Sequence, residues 1–401
     1  MMTTFTIGYC VTLPLYGHLS DTHGRLRPLV AAYATFSIGC ALCGVGQQYW
    51  QVILGRIITG CGASGIVSLA SIIIADIAAP SNVAVLRSYV NIATVIGLSL
   101  GGPLGGILSG TIGWKWSFIG QVPLAVLCCL FIARGLRQNL TKIKDGERQL
   151  EEATRELKPS ILSFDFTGAI TLAIWISSFL AVIDLQNQLS WGHPLVLGIA
   201  AVGSLSFVAF AALESYPGNR ELLIPLRLLK TEIGAFCLAQ VSTRLIPRSF
   251  VSQIPPYFAN SQGYSDAKAG GQTVPASIGT AVGALVAGQL IKRFGRYKMI
   301  TLIFLSLYIV NQLVILFQWS SHPISPWEGL TTLPTGIFGG LVLSANFIGL
   351  YSFTPRKHMA TAISMYYMSQ QIGIAMGIAL SSSLLKRRFE AVLNKNLTGI
   401  P

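Results

Sequence analysis

Charge is scarce in this sequence. Asp, Glu, Lys and Arg together make up 11% of its 401 residues, where a soluble domain carries about 25%. With 52% apolar residues and a mean hydropathy of +0.60, that scarcity excludes a soluble globular protein. Histidine is rarer still: His18 and His23 flank one short turn, and with few others in the chain they do not make a metal-ligand set. The seven cysteines, Cys10, Cys40, Cys43, Cys61, Cys128, Cys129 and Cys237, all fall inside apolar stretches and read as buried packing thiols. Cys40 and Cys43 have CxxC spacing, but no second ligand pair accompanies them, so neither zinc nor a disulfide framework is supported. No nucleophile–base pair, phosphate loop or metal cluster stands out. An enzyme is therefore not expected, nor a cofactor. No cleavable signal peptide is expected either, because the first apolar stretch is too long and lacks a basic leader.

What the sequence has instead is long apolar runs. A helix rises about 1.5 Å per residue and the hydrocarbon core is about 30 Å thick, so a span needs roughly 20 apolar residues. Twelve such stretches lie near 1–19, 29–47, 50–75, 86–108, 116–134, 162–183, 194–213, 233–257, 269–291, 298–318, 329–351 and 360–385. Barrel strands alternate apolar and polar residues over about ten positions, whereas these runs are apolar all round. Helices satisfy their own backbone groups in lipid, so the chain is predicted to be an all-α polytopic membrane protein.

The formal net charge of +13 suggests nucleic acid only if its distribution is ignored. With the first turn, 20–28, placed on the cytoplasmic side, alternate connections collect 19 Lys and Arg against two, Lys115 and Lys268, on the other side. That is the positive-inside pattern of a membrane protein. The tail residues Lys386, Arg387, Arg388 and Lys395 dissent, falling on the opposite side. The longest polar stretch, 135–160, alternates its charges as a solvated surface helix does. Asn139 and Asn396 both begin NLT, a glycosylation pattern; the first falls on the cytoplasmic side and the second near the chain end.

One short pattern occurs twice. Residues 17–25 read GHLSDTHGR and residues 288–296 read GQLIKRFGR, sharing Gly, Leu, Gly and Arg at equal offsets. Each joins two apolar spans, and internal repetition of this kind marks transporters built from two related bundles. Gly17 and Gly288 are expected at tight helix crossings, since small residues let backbones approach. Lys292 stands where Asp21 stands in the first copy, so the copies have diverged.

The charged turn is followed by Arg56 within LGRIITGCGASG and by GLSLGGPLGG at 97–106. In that order the three motifs resemble the major facilitator superfamily, and more narrowly its fourteen-span drug:proton antiporter family. The stretches SYVNIATVIGLSLGGPLGGILSGTIGWKWSFIGQVP and TVPASIGTAVGALVAGQLIKRFGRYK are most similar to the fungal branch of vacuolar basic amino-acid transporters. In that family the charged turn joins the second and third spans, so the resemblance implies that the first span, and also the last, is missing here. It implies an N-terminal bundle over 1–134, a cytoplasmic linker over 135–160, two extra spans over 161–214, a cytoplasmic loop over 215–232, a C-terminal bundle over 233–385 and a polar tail over 386–401.

The resemblance also assigns roles. The gating turns are Gly17, Asp21, Gly24 and Arg25, with Gly288, Gly295 and Arg296 in the second copy. Asp21 is expected near the start of the last span, around Ala360 to Ser364. A solvated turn that only orients the chain is the plainer alternative. Arg56, inside a span, is implicated in proton coupling; snorkelling to the interface is its alternative. Gly97, Gly101, Gly102, Pro103, Gly105 and Gly106 form the antiporter motif, with one residue, Leu104, between GP and GG where the family has two. Close packing and a kink are its physical content. Cavity candidates on the surviving lining spans are Ser64, Ser68, Gln240, Thr243, Arg244, Arg248, Ser344 and Asn346. Arg244 and Arg248 are four apart and share a helix face, and such a pair repels a cation and attracts a carboxylate. The chain is thus expected to be a monomeric, proton-coupled antiporter in the lipid bilayer that takes small molecules. Basic amino acids moved into the vacuole lead. A plasma-membrane exporter of toxic small molecules and a transport-incompetent fragment or membrane sensor are the alternatives.

Overall fold

The computed structural model describes residues 2–77, 83–135, 165–185, 189, 192–215, 226–294, 297–321, 326–355 and 358–397, and every regular element among them is a helix. In order these are α1 (Met2–His23), α2 (Leu26–Val45), α3 (Tyr49–Ile77), α4 (Val83–Thr111), the short α5 (Trp116–Ile119) and α6 over 121–135. There follow α7 (Phe166–Leu185), α8 (Pro194–Ser215), α9 (Leu226–Leu229), α10 (Glu232–Gln262) and α11 (Asp266–Gly271). The last are α12 (Val274–Phe294), α13 (Tyr297–Ser321), a 3-10 turn (Pro326–Thr331), α14 (Thr332–Phe353) and α15 (Met359–Leu397). Residues 136–160 of the expected linker, with Asn139, and 216–225 of the expected loop lie outside the described residues.

Eight helical segments among the described residues are long and apolar enough to cross a membrane. The other four predicted spans, α1, α7, α10 and α15, are also helices but are shorter or carry more polar residues. The reason is visible on α10 and α15, whose polar side chains meet each other instead of lipid. Gln240 and Arg244 both donate to Gln370 Oε1, at 2.9 and 3.0 Å, and Gln253 donates to Ser381 Oγ at 3.0 Å. By contrast α13 turns Leu302, Leu316 and Phe317 outward, the exposure expected where lipid is the solvent.

Helix ends follow local chemistry. Gly24 sits at φ +76° one residue past α1, the left-handed conformation that ends a helix without a Cβ clash. The first charged motif is therefore mostly helix: Asp21 lies on the last turn of α1, and only Gly24 and Arg25 separate it from α2. Thr231 caps α10 by accepting from the Ile233 N–H. The expected polar tail from 386 onward is helical through Leu397, which extends α15 to 39 residues.

Glycine contacts give the directions. Gly279 backs onto Leu333 and Ile337, Gly336 onto Ala276 and Gly340 onto Thr280, so α12 and α14 run parallel. Gly8 meets Ile57, Thr12 meets Ser64 and Gly65 meets Tyr16, so α1 and α3 are parallel too, while α2 is antiparallel to α3 through Gly39–Thr59 and Gly55–Cys43. Gly373 meets Val241 and Gly377 meets Leu245, which aligns α10 with α15. Gly17 meets Ala360 and Ser364, placing the end of α1 beside the start of α15 and hence beside the end of α14. Lys292, near the end of α12, lies at that same end of the molecule. The two repeated turns thus share one end, called here the turn end. The largest apolar core concentrates in that half, joining Tyr16 of α1, Leu29 of α2, Leu69 and Ile72 of α3, Phe347 of α14 and Tyr366 of α15. α7 joins it through Leu172, Ile176 and Leu180 and pairs with α8 across Trp175 and Phe207, whose rings are 5.0 Å apart.

Candidate functional site

At the turn end a single guanidinium ties two helices together. Arg25 NH1 donates to Asp21 Oδ1 at 2.7 Å, and Nε donates to Asp76 Oδ2 at 2.8 Å; Ser20 Oγ accepts a further bond. Asp21 and Asp76 each stand in the last turn of a helix, α1 and α3, where the macrodipole disfavours a carboxylate. Arg25 offsets both. Burial works against its charge, yet the hydrogen bonds it donates to Asp21 and Asp76 and the charges of both carboxylates outweigh it and raise its pKa. The residue that meets Ala360 and Ser364 is Gly17, one helical turn before Asp21: a Cβ there would lie 2.8 Å from Ser364 Oγ. Next to this crossing, Ser71 and Tyr367 share a buried hydroxyl hydrogen bond of 2.7 Å, and Tyr351 OH donates to the Ala75 carbonyl at 3.4 Å. In the second copy Gly288 is buried, and Lys298 lies over the Phe353 ring at 5.6 Å. Gly295 and Arg296 are outside the described residues.

Arg56 stands two turns into α3, far from the turn end. Its guanidinium lies over Phe5 at 4.8 Å and Phe118 at 5.5 Å. Two aromatic faces offset part of the roughly 2.5–3.5 kcal/mol that a membrane-embedded cation costs. Among the described residues no carboxylate pairs with it.

The glycine motif of α4 departs from its expected packing. A Cβ added at Gly97, Gly101, Gly105 or Gly106 meets nothing within 4 Å. This face of α4 therefore makes no close crossing with the described residues; the helix packs on α12, and its Asn91 donates to Ser344 Oγ of α14 at 3.1 Å. Gly102 and Pro103 lie within α4, their surroundings undescribed.

A cavity of about 230 Å³ lies between α4, α10, α12 and α14, from the middle of the molecule toward the end opposite the turns. Arg244 and Arg248 line it from α10, with Thr243 and Pro247; Asn91 and Thr94 line it from α4. Thr273, Ser277 and Thr280 contribute hydroxyls from the start of α12, and Thr335 does so from α14. No carboxylate is among its described lining residues. Pro247 has no N–H to give the Thr243 carbonyl four residues earlier. Behind the wall runs a buried polar chain. Asn346 Nδ2 donates to Gln240 Oε1 at 3.2 Å, and Gln240 and Arg244 share Gln370. That chain fixes Arg244, whereas Arg248, partly buried, makes no hydrogen bond or ion pair to any described residue.

The structure therefore brings together Gln240, Thr243, Arg244, Arg248, Ser344 and Asn346 at the cavity or directly behind it. Ser64 and Ser68 are elsewhere: Ser64 Oγ and Thr12 Oγ1 are 2.7 Å apart across α1 and α3, and Ser68 donates to the Gly65 carbonyl. Ser64 belongs to the α1–α3 contact, and Ser68 is buried with its hydroxyl bonded within α3. Sequence reasoning passed over Asn91, Thr94, Thr273, Ser277, Thr280, Thr335 and Gln370. A signal existed for some of them: Thr273, Ser277 and Thr280 fall at i, i+4 and i+7, one polar stripe on an otherwise apolar helix.

Comparison with known proteins bears on this arrangement. A sequence model described as Major Facilitator Superfamily matches residues 1–378. The chain is 27% identical over 407 residues to the vacuolar membrane amino acid uptake transporter fnx2 of Schizosaccharomyces pombe, covering 98% of this chain and 67% of that one. It is 26% identical over 404 residues to vacuolar basic amino acid transporter 2 of Saccharomyces cerevisiae, covering 98% and 84%. It is also 26% identical over 407 residues to multidrug resistance protein fnx1 of S. pombe, covering 100% and 74%. Among solved structures, the proton:xylose symporter XylE bound to 6-bromo-6-deoxy-D-glucose superposes with a TM-score of 0.63 at 15% identity, covering 98% of this chain and 79% of that one.

Proposed function

Since the chain belongs to the Major Facilitator Superfamily, a family of multi-pass membrane transporters and not of enzymes, we propose that it is a monomeric proton-coupled antiporter that loads basic amino acids into the vacuole. The observation that carries this reading is the polar, arginine-lined cavity enclosed by four helices of an otherwise apolar molecule. With the basic turns on the cytoplasmic side, the cavity belongs to the lumenal half of the membrane and the apolar core with the Ser71–Tyr367 bond closes the cytoplasmic half. Alternating access then consists of parting the α1–α15 crossing while the cavity walls close. Arg56 between its two rings, and the glycine face of α4, are the places we assign to proton coupling and to antiport. The similarity to fnx2 and to vacuolar basic amino acid transporter 2 supports the cargo and the membrane.

A second reading, export of toxic small molecules at the plasma membrane, is favoured by the similarity to multidrug resistance protein fnx1. Uptake of labelled lysine and arginine into vacuolar vesicles, with and without a proton gradient, separates the two. Gradient-driven uptake that a protonophore abolishes is the expected result. Drug sensitivity of a deletion strain with no such uptake favours the exporter. Neither effect leaves only a scaffold that does not transport.

A further inference from the structure

We propose that the cavity between α4, α10, α12 and α14 is a carboxylate-binding subsite, in which Arg248 takes the anionic group of the substrate and Arg244 supports it. This rests on the reading of the chain as a transporter that loads its substrate into this cavity.

Three observations converge on it. Arg248 carries an obligatory positive charge in the middle of a membrane-embedded helix, lines the cavity, and makes no hydrogen bond or ion pair to any described residue. A guanidinium held out of water without an anion is costly, and a ligand that completes the pair recovers that cost on binding. Second, Arg244 projects from the same helix face one turn earlier and is anchored there by its bond to the Gln370 amide oxygen. Third, the remaining polar lining among the described residues consists of hydroxyls and an amide, with no carboxylate among them. Planar guanidinium groups engage a carboxylate through paired N–H donors. An amino acid fits this chemistry by its carboxylate, and its ammonium finds acceptors in the lining hydroxyls and the Asn91 amide oxygen. A lipophilic monocation without an acid group is disfavoured by the two like charges.

Ligand-induced thermal stabilisation of the purified full chain provides the test. The probes are three acids and their methyl esters: lysine, leucine and benzoic acid. At least one acid is expected to bind tighter than its ester by roughly tenfold or more, because hydrogen bonds to a charged group are stronger than neutral ones. The preference should vanish in Arg248→Gln and return in part in Arg248→Lys, which keeps the charge but not the paired donors. Esters that bind as tightly as their acids, or no binding by any acid, overturn the proposal. Because the acid–ester comparison uses the unmodified chain, it decides even where a variant fails to fold. Gradient-driven vesicle uptake without acid preference leaves the transporter reading intact and removes the subsite; acid-selective binding without uptake does the reverse.

Discussion

The crossing of α12 with α14 and the open face of α4 are written with the same residue at the same spacing. Gly279 and Gly283 on one helix, Gly336 and Gly340 on the other, stand four apart, as do Gly97, Gly101 and Gly105 on α4. At the crossing a methyl added to any of the four overlaps the partner's backbone; on α4 it meets nothing within 4 Å. Small residues remove the steric obstacle to a close approach, but the approach itself needs a facing helix with a matching groove. α14 offers α12 its own pair of glycines. Among the described residues nothing offers α4 the same.

Three substitutions test this contrast, each read as the change in unfolding midpoint of the detergent-solubilised chain. Gly336→Ala has the largest effect, because the new methyl overlaps the Ala276 carbonyl oxygen and a helix backbone has to move; a loss of about 2 kcal/mol or more is expected. An unchanged midpoint would mean that α12 and α14 are not in backbone contact. Gly17→Ala falls between: the nearest atom is the Ser364 hydroxyl at 2.8 Å, which can rotate away, so the loss stays under about 1 kcal/mol. Gly101→Ala is the smallest, with no loss and a gain of up to about 1 kcal/mol from helix propensity. If Gly101→Ala keeps its midpoint but stops gradient-driven uptake, the glycines of α4 serve transport and not packing. If it unfolds the protein, that face does have a partner.

Hydropathy and length made the helices legible, because a span in lipid must satisfy its own backbone and does so in one way. The predicted stretch 50–75 emerged as Tyr49–Ile77, 194–213 as Pro194–Ser215 and 298–318 as Tyr297–Ser321. Motif position made the shared turn end legible through Asp21 and Lys292. Which way each helix turned its polar side chains was less so, since that depends on the neighbour and not on the helix. Ser64 reads like a cavity residue by composition, yet Thr12 of α1 lies against it. Asn91 and Thr94 carry no such mark in the sequence, because glycines dominate α4 and its cavity-facing side lies nearer the helix start. The arginine pair on α10 was identified correctly as sharing a face, and the structure adds what no spacing contains: Gln370 beside one member and open space beside the other.

The Arg25 bridge has a mechanical consequence. Because one guanidinium holds the ends of α1 and α3 at 2.7 and 2.8 Å, those two helices are coupled at this end. The neighbouring seam to α15 is held differently, by a glycine notch and a neutral hydroxyl bond between Ser71 and Tyr367 that water can replace on either side. In the alternating access proposed above, this end therefore parts along the α15 seam, and the ionic clasp travels with α1 and α3 instead of being torn and remade at every cycle.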